Sequence, residues 1–521
     1  MNKNRREFLK FLGVSSVGLS QLSSLSLLGS CSHQKKALSS RRLPSFKDDL
    51  ILREGLHYYP LISWGDSINQ HEAFGFNNDY ITYKPLSPDE LIMWVNHEYT
   101  NPLFVSGRER SKENIDKERR SVGGSIIKVK KENQKWRFQA GDPHNRGVRG
   151  DTPIKFAYDK EIMGAKIVEG TCSNCAGGFT PWGTFLSCEE NPHKNYGEKN
   201  RHTGDFRPSS QWSQWEKFYP HPIEHYSWVV EIEPETGAAQ KHINLGRFGH
   251  ESATCTVSNN QVVVYSGDDK EDEHLYKFVS QNDKDFKQGT LYVANLEQGK
   301  WLPLDLEKSP ELKKHFKNQI EVLTYCREAS KIVGATPLNR PEDIEVHPHN
   351  GDVYVTLTRS DKRHDPFGSI LKVSEKNADH TSLNFTHETF VMGGEASQFA
   401  CPDNLAFDQN GHLWMATDMS DKDIGQSPYK SFGNNGLFVI PTSGAAAGEV
   451  IQVASCPVDA EFTGLCFSPD QKSLFVSVQH PGEGTRNIHQ PTSTWPTGST
   501  PKPTVVVIEG EFLESLTQKR V

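Results

Sequence analysis

The chain has 521 residues, and its 58 Lys and Arg against 66 Asp and Glu leave a formal net charge of −8, which excludes a protein that grips a phosphate backbone through a basic footprint. A hydrophobic share of 35% and a mean hydropathy of −0.63 exclude a polytopic membrane protein. The 10% aromatics, 41 Gly and 29 Pro argue against wholesale disorder and against a helical bundle, and suit many short strands joined by long polar loops.

Asn4-Arg5-Arg6-Glu7-Phe8-Leu9-Lys10 has the form of a twin-arginine export signal, except at its first residue, where Ser or Thr is commoner. The apolar stretch from Phe11 to Leu28 is interrupted by Ser15, Ser16, Ser20, Gln21 and Ser23. It is too polar for a good membrane anchor and suits a cleavable segment. Leu28-Gly29-Ser30-Cys31 resembles a lipobox, with Cys31 lipidated and becoming the mature N-terminus; the bland alternative is an ordinary cleavage site. The twin-arginine route carries folded proteins, commonly because a cofactor is loaded first. The expectation is therefore a periplasmic or cell-envelope protein with a bound metal, its only membrane contact a lipid anchor. Residues 1–31 read as the signal, 32–46 as a basic tether and 47–521 as one domain, expected to be monomeric.

Along that domain, acids stand where apolar strands end. Leu91–Trp94 runs into Asn96-His97-Glu98, and Phe185-Leu-Ser runs into Cys188-Glu189-Glu190. Val262–Tyr265 leads to Asp268-Asp269, and Leu413–Thr417 leads to Asp418. Hard oxygen donors of this kind suit Ca2+ or Mg2+. A thiolate at Cys188 beside Glu189 suits a transition metal, with iron the natural choice for mixed sulfur and oxygen donors.

The C-terminal half repeats itself. Segments beginning at Arg340, Cys401 and Phe462 each read as a short alternating strand, a turn rich in Pro, Asp, Asn or Gly, and a second strand. Their apolar positions Ile344, Leu405 and Leu465 follow at intervals of 61 and 60 residues. A weaker copy spans Gly249 to Ser266 with a turn at Asn259-Asn260, and Pro310–Asn318 reads as a short helix. Hairpins at this interval predict an all-β fold, a β-propeller with elaborated blades and few short helices. Two residues before the apolar positions stand Glu342, Asp403 and Thr463, with Glu461 just upstream; Glu251 holds the same place in the weaker copy. In a propeller these positions face the central channel, where crowded carboxylates repel unless cations compensate. The bland reading, that each acid merely caps a strand, loses ground because the acids align.

Cys172-Ser-Asn-Cys175 has no second pair at zinc-finger spacing, and folding before export argues against a disulfide framework. Cys255, Cys401 and Cys466 sit at strand positions and read as buried apolar residues. That leaves Cys188 alone as the expected thiolate ligand. His97, His250 and His480 are as well explained by scaffold hydrogen bonds as by a site. There is no G-x-S-x-G elbow and no H-E-x-x-H, which removes the serine-hydrolase and zincin readings.

Gly75-Phe-Asn-Asn-Asp79, Trp94–Thr100, Asn174–Asn191, Gly267-Asp-Asp with Tyr276–Val279, Arg340-Pro-Glu342, Pro402-Asp-Asn404 and Gln479–Glu483 together resemble the PhoX family of alkaline phosphatases. The resemblance implies a six-bladed propeller whose channel holds ferric iron (Fe3+) and calcium (Ca2+) with an oxo bridge and hydrolyses phosphate monoesters. It makes Cys188 the iron thiolate, Glu251 and Glu342 cluster carboxylates, and Arg340 the contact to the substrate phosphate. Glu189, Asp403, Glu461, Glu98 and Asp268 become further candidates, chiefly for calcium. The loop Lys270-Glu-Asp-Glu-His274 is more acidic than the family pattern leads one to expect. No Ser or Thr stands out as a covalent nucleophile, so attack by a metal-bound oxygen is expected, with Arg340 stabilising the transition state. Two rival readings remain: a calcium propeller hydrolase of lactonase or phosphotriesterase type, and a non-catalytic binding propeller whose cations brace the blades.

Overall fold

The computed structural model describes residues 43–518, so the twin-arginine motif, Cys31 and most of the expected tether lie outside the described residues. Leu43–Phe46, read as the end of that tether, dock on the fold: Leu43 N donates to Gln452 Oε1 at 2.7 Å, and Ser45 O accepts from Asn434 N at 2.8 Å.

The described chain forms a ring of six blades, antiparallel except where Ala239–His242 runs parallel to Pro153–Phe156 in blade 2. Their inner strands are Asn78–Ser87, Asn174–Phe179, His250–Ser258, Pro341–Val346, Pro402–Phe407 and Glu461–Phe467, in blades 1 to 6, and each inner strand packs against the next around the axis. The hairpin read at Asn259-Asn260 is present. Both residues take left-handed φ, +53° and +59°, and Ser258 pairs with Gln261 across them. Two successive positive φ values match the twist of a two-residue hairpin, and Asn tolerates them.

Closure joins the two ends of the chain. His57–Ser63 forms the outer strand of blade 6 against Thr504–Glu509, while Ile51–Leu52 adds to the edge of blade 5. Blades 1 and 2 carry long insertions after their second strands, residues 98–122 and 190–228. The first holds the helices Pro102–Val105 and Lys112–Ser121. The helix expected at Pro310–Asn318 is a tight 3-10 turn at Pro310–Lys314, followed by short helices at Gln319–Thr324 and Cys326–Val333.

Apolar faces between neighbouring blades make the core, and polar pairs are sealed within it, Lys277 with Glu375 among them. Lys277 Nζ lies 2.9 Å from Glu375 Oε1 between blades 3 and 4, with both side chains 0% exposed. Tyr265 Oη and Trp301 Nε1 donate to the same oxygen at 2.8 and 3.0 Å, and burial pulls the ammonium down to about 8. Removing one partner of such a pair leaves an uncompensated buried charge. Lys277→Met is therefore expected to cost about 3–5 kcal/mol in denaturant unfolding, and adding Glu375→Gln should recover at least half of that loss.

Candidate active site

The inner strands share one irregularity. Each has a register shift near its N-terminal end, where two residues on the inner strand are left without partners: at Asn78/Ile81, Asn174/Gly177, Glu251/Thr254, Pro341/Ile344, Pro402/Leu405 and Thr463/Cys466. A bulge bends the strand and re-aims the side chains beside it. In blades 1, 2, 4 and 5 the first bulged residue is Asp79, Cys175, Glu342 and Asp403. A non-glycine residue with left-handed φ, Asn77, Ser173, Arg340 or Cys401, stands two positions earlier. In blades 3 and 6 the left-handed residue lies in the bulge itself, at Ser252 and Gly464, and the channel groups Glu251, Glu461 and Thr463 precede it. Gly464 has no substitute: its φ is +58°, and a Cβ there would lie 2.4 Å from the Asp79 carbonyl oxygen.

A second tier comes from the residue immediately after the second strand of five blades: Glu98, Glu190, Asp269, Asp418 and His480. Both tiers line one cavity of about 670 Å³ at the propeller axis. Its wall carries ten carboxylates, counting Glu483, against the cationic groups Lys194, Arg340, Lys422 and His480. Burial first, and then repulsion from the neighbouring acids, raise Asp79, Glu190, Glu251, Glu342, Asp403 and Glu461 well above the ordinary carboxylate range. Donor atoms of Cys175, Glu190 and Glu251 lie within 4.8 Å of one another, and so do those of Glu251, Glu342 and Asp403. The buried atoms Glu461 Oε2, Thr463 Oγ1 and Gln479 Oε1 have no partner in the protein. Excess negative charge, unfilled oxygen donors and one thiol among carboxylates fit cations, with mixed sulfur and oxygen ligation at Cys175.

The fixed positive groups are held by geometry. Arg340 presents Nε and Nη2 to the two oxygens of Asp269 at 2.7 and 2.9 Å, and Nη2 also lies 2.7 Å from Glu342 Oε1. Against the effect of burial, Arg340 holds Asp269 down to about 2. His480 has an acceptor at each ring nitrogen, Glu461 Oε1 and the Asp459 carbonyl, both at 2.9 Å. Two acceptors require two N–H donors, which favours the imidazolium. In line with that, Glu483 and Glu461 outweigh burial and raise its pKa well above that of ordinary imidazole. Lys194 is raised in the same way by Glu190 and Glu98.

Of the residues read from sequence, Glu98, Glu251, Glu342, Asp403, Glu461 and Arg340 come together on this cavity. Three others lie elsewhere. Cys188 sits on the second strand of blade 2, packed in the apolar cluster with Leu186 and Val229, and Cys175 takes the place by the carboxylates. Glu189 is locked to Lys241 Nζ at 2.7 Å with both side chains fully buried, and Glu190 faces the cavity instead. Asp268 accepts from Arg327 Nε at 2.8 Å outside the cavity, and Asp269 faces inward. Sequence reasoning missed Cys175 as a donor, although one signal was available: Asn78-Asp79 and Asn174-Cys175 both place a donor after Asn, as Pro341-Glu342 and Pro402-Asp403 place one after Pro.

A family model described as alkaline phosphatase PhoX matches residues 39–482. The solved structure of Pseudomonas fluorescens PhoX in complex with vanadate, a transition-state analogue, superposes with a TM-score of 0.83 at 30% identity, over 91% of this chain and 98% of that one. The Xanthomonas campestris gluconolactonase XC5397 gives a TM-score of 0.32 at 8% identity, over 87% and 99% of the two chains. Penicillium chrysogenum α-L-arabinanase gives 0.38 at 10%, over 88% and 98%. These last two likenesses are too weak to bear on this chain. A comparison with curated protein sequences gives no match. The chain belongs to the alkaline phosphatase PhoX family and is a phosphomonoester hydrolase.

Proposed function

We propose that this phosphatase is exported and depends on metal ions held by the two tiers of channel donors. The observation that carries the reading is the pair of donor groups that share Glu251. Cys175, Glu190 and Glu251 would hold iron, since a thiolate with carboxylates suits a transition metal. Glu342 and Asp403 extend this group, while the oxygen-only donors Asp79, Glu98 and Glu461 suit calcium. When bound, the cations supply Lewis-acid stabilisation of the phosphoryl oxygens and activate the attacking water. An oxygen-only calcium site of the lactonase kind has no use for the Cys175 thiol.

The protein's own groups position the ester. Arg340 is fixed by Asp269 and Glu342 through Nε and Nη2, which leaves Nη1 to meet a phosphoryl oxygen. A guanidinium anchored on two sides needs no reorganisation as charge develops. Lys194 offers a second fixed positive charge in the cavity, and His480 keeps Glu461 oriented through Nε2. The complex of the Pseudomonas fluorescens protein with vanadate, a transition-state analogue, supports phosphoryl transfer as the reaction. The twin-arginine motif at Asn4–Lys10, with Cys31 as lipid anchor, supports a periplasmic or envelope location.

Glu342→Gln is expected to lower metal content and to reduce kcat/KM for a phosphomonoester at least 100-fold. Cys175→Ala should abolish a thiolate-to-iron absorption band that Cys188→Ala retains; elemental analysis and visible spectra of the purified variants check both expectations. The raised carboxylates also set a pH dependence. A folded-state pKa above the unfolded value means that the folded protein holds more protons, so stability falls as pH rises through that window. The metal-free protein is therefore expected to unfold at lower denaturant concentration at pH 8.5 than at pH 6, and added calcium should remove most of the difference. Replacing Arg5 and Arg6 by Lys should leave precursor in the cytoplasm on cell fractionation.

A further inference from the structure

The insertions of blades 1 and 2, with loops that follow the second strands of blades 5 and 6, build a recess beside the metal-donor cavity. Its volume is about 380 Å³, and Tyr99, Thr100, Pro102, Trp212, Lys422 and Glu483 line both spaces. Trp212 is 51% exposed, and no other tryptophan among the described residues is exposed. Its loop is nevertheless fixed. Arg110 Nη1 donates to the carbonyls of Trp212 and Ser213 at 2.8 and 3.4 Å. Arg110 is itself paired at 2.8 Å with Glu118, whose side chain is fully buried and also accepts from Trp215 Nε1 at 2.9 Å. One buried carboxylate thus ties the two insertions together and sets the backbone of Trp212, while the indole stays in solvent. The Arg108 guanidinium covers part of the indole at 5.4 Å from the ring centroid and is anchored by a 2.6 Å bond from Nη2 to the Arg486 carbonyl.

We propose that this recess receives the leaving group of the ester, and that Trp212 gives the enzyme a preference for phosphomonoesters whose leaving group is a planar aromatic ring. A ring stacked on a preset indole gains dispersion and apolar burial without the cost of ordering a loop, and stacking accepts any aromatic face. Arg108, Lys422 and Arg486 outnumber the acids of the recess, Asp421 and Glu483, so it lacks the excess negative charge of the channel and does not drive out a leaving group. The inference rests on the phosphomonoesterase activity of the same cavity.

The test is the ratio of kcat/KM for phenyl phosphate to kcat/KM for glycerol 2-phosphate, measured on metal-loaded wild type, Trp212→Ala and Trp212→Phe. Both rates come from one preparation, so the ratio does not depend on the fraction folded or loaded. The intrinsic difference between phenol and alcohol leaving groups cancels between variants. The ratio should fall about tenfold in Trp212→Ala, chiefly through a higher KM for phenyl phosphate, and Trp212→Phe should keep most of it. A ratio in Trp212→Ala within twofold of wild type, or an equal fall in Trp212→Phe, overturns the subsite. Failure of the wild type to turn over either ester would overturn the underlying activity instead.

Discussion

Like charges forced onto one axis are the constraint around which this protein is arranged. Two unit charges 4 Å apart repel by about 4 kcal/mol at an effective dielectric near 20. A few such pairs rival the 5–15 kcal/mol by which a folded protein is stable. The cavity wall sets ten carboxylates against four cationic groups, and no inner strand can withdraw, because each is packed between two others in a closed ring. The strands therefore present acids that stay protonated or take up cations. Apolar packing between blades, sealed by the pairing of His57–Ser63 with Thr504–Glu509, supplies the stability that the axis lacks.

The device that aims the donors is repeated as regularly as the strands themselves. A bulge at the start of every inner strand lets adjacent residues serve opposite ends of the design: Glu342 faces the cavity, while Asp343 Oδ2 accepts from Leu405 N at 2.7 Å and ties blade 4 to blade 5. Left-handed φ at Arg340 turns the strand entrance so that the guanidinium lies back across Glu342 and Asp269. Strained backbone of this kind persists where the surrounding structure over-determines it. Here the surroundings are a carboxylate on either side and a neighbouring blade.

Over this frame the insertions are the variable part. They lack the propeller's periodicity, and they are joined to each other by a buried apolar cluster of Ile115, Tyr196, Trp215, Ile223 and Tyr226 and by the bond from Trp215 Nε1 to Glu118. They also explain why blades 1 and 2 were invisible as repeats. Segments of residues 98–122 and 190–228 between second and third strands destroy the regular interval that marks blades 4 to 6.

Sequence pattern alone suffices for the all-β class, the hairpin repeat, the turn at Asn259-Asn260 and the acids at strand starts, because each rests on a local pattern or a short interval. It also determined that acids accumulate where second strands end. Only the tertiary structure decided which of two neighbours reaches the axis. The readings at Glu189 and Asp268 each fell one residue short of the cavity-facing Glu190 and Asp269, and the thiol reading chose Cys188 over Cys175. For the two acid readings the reason is the strand's alternation: successive side chains point to opposite faces, so a one-residue shift exchanges one face for the other. Cys175 and Cys188 instead lie on adjacent strands of blade 2 and differ in which strand lines the axis. Which face meets the axis is set by how each blade packs against its neighbours, and that packing exists only once the ring has closed.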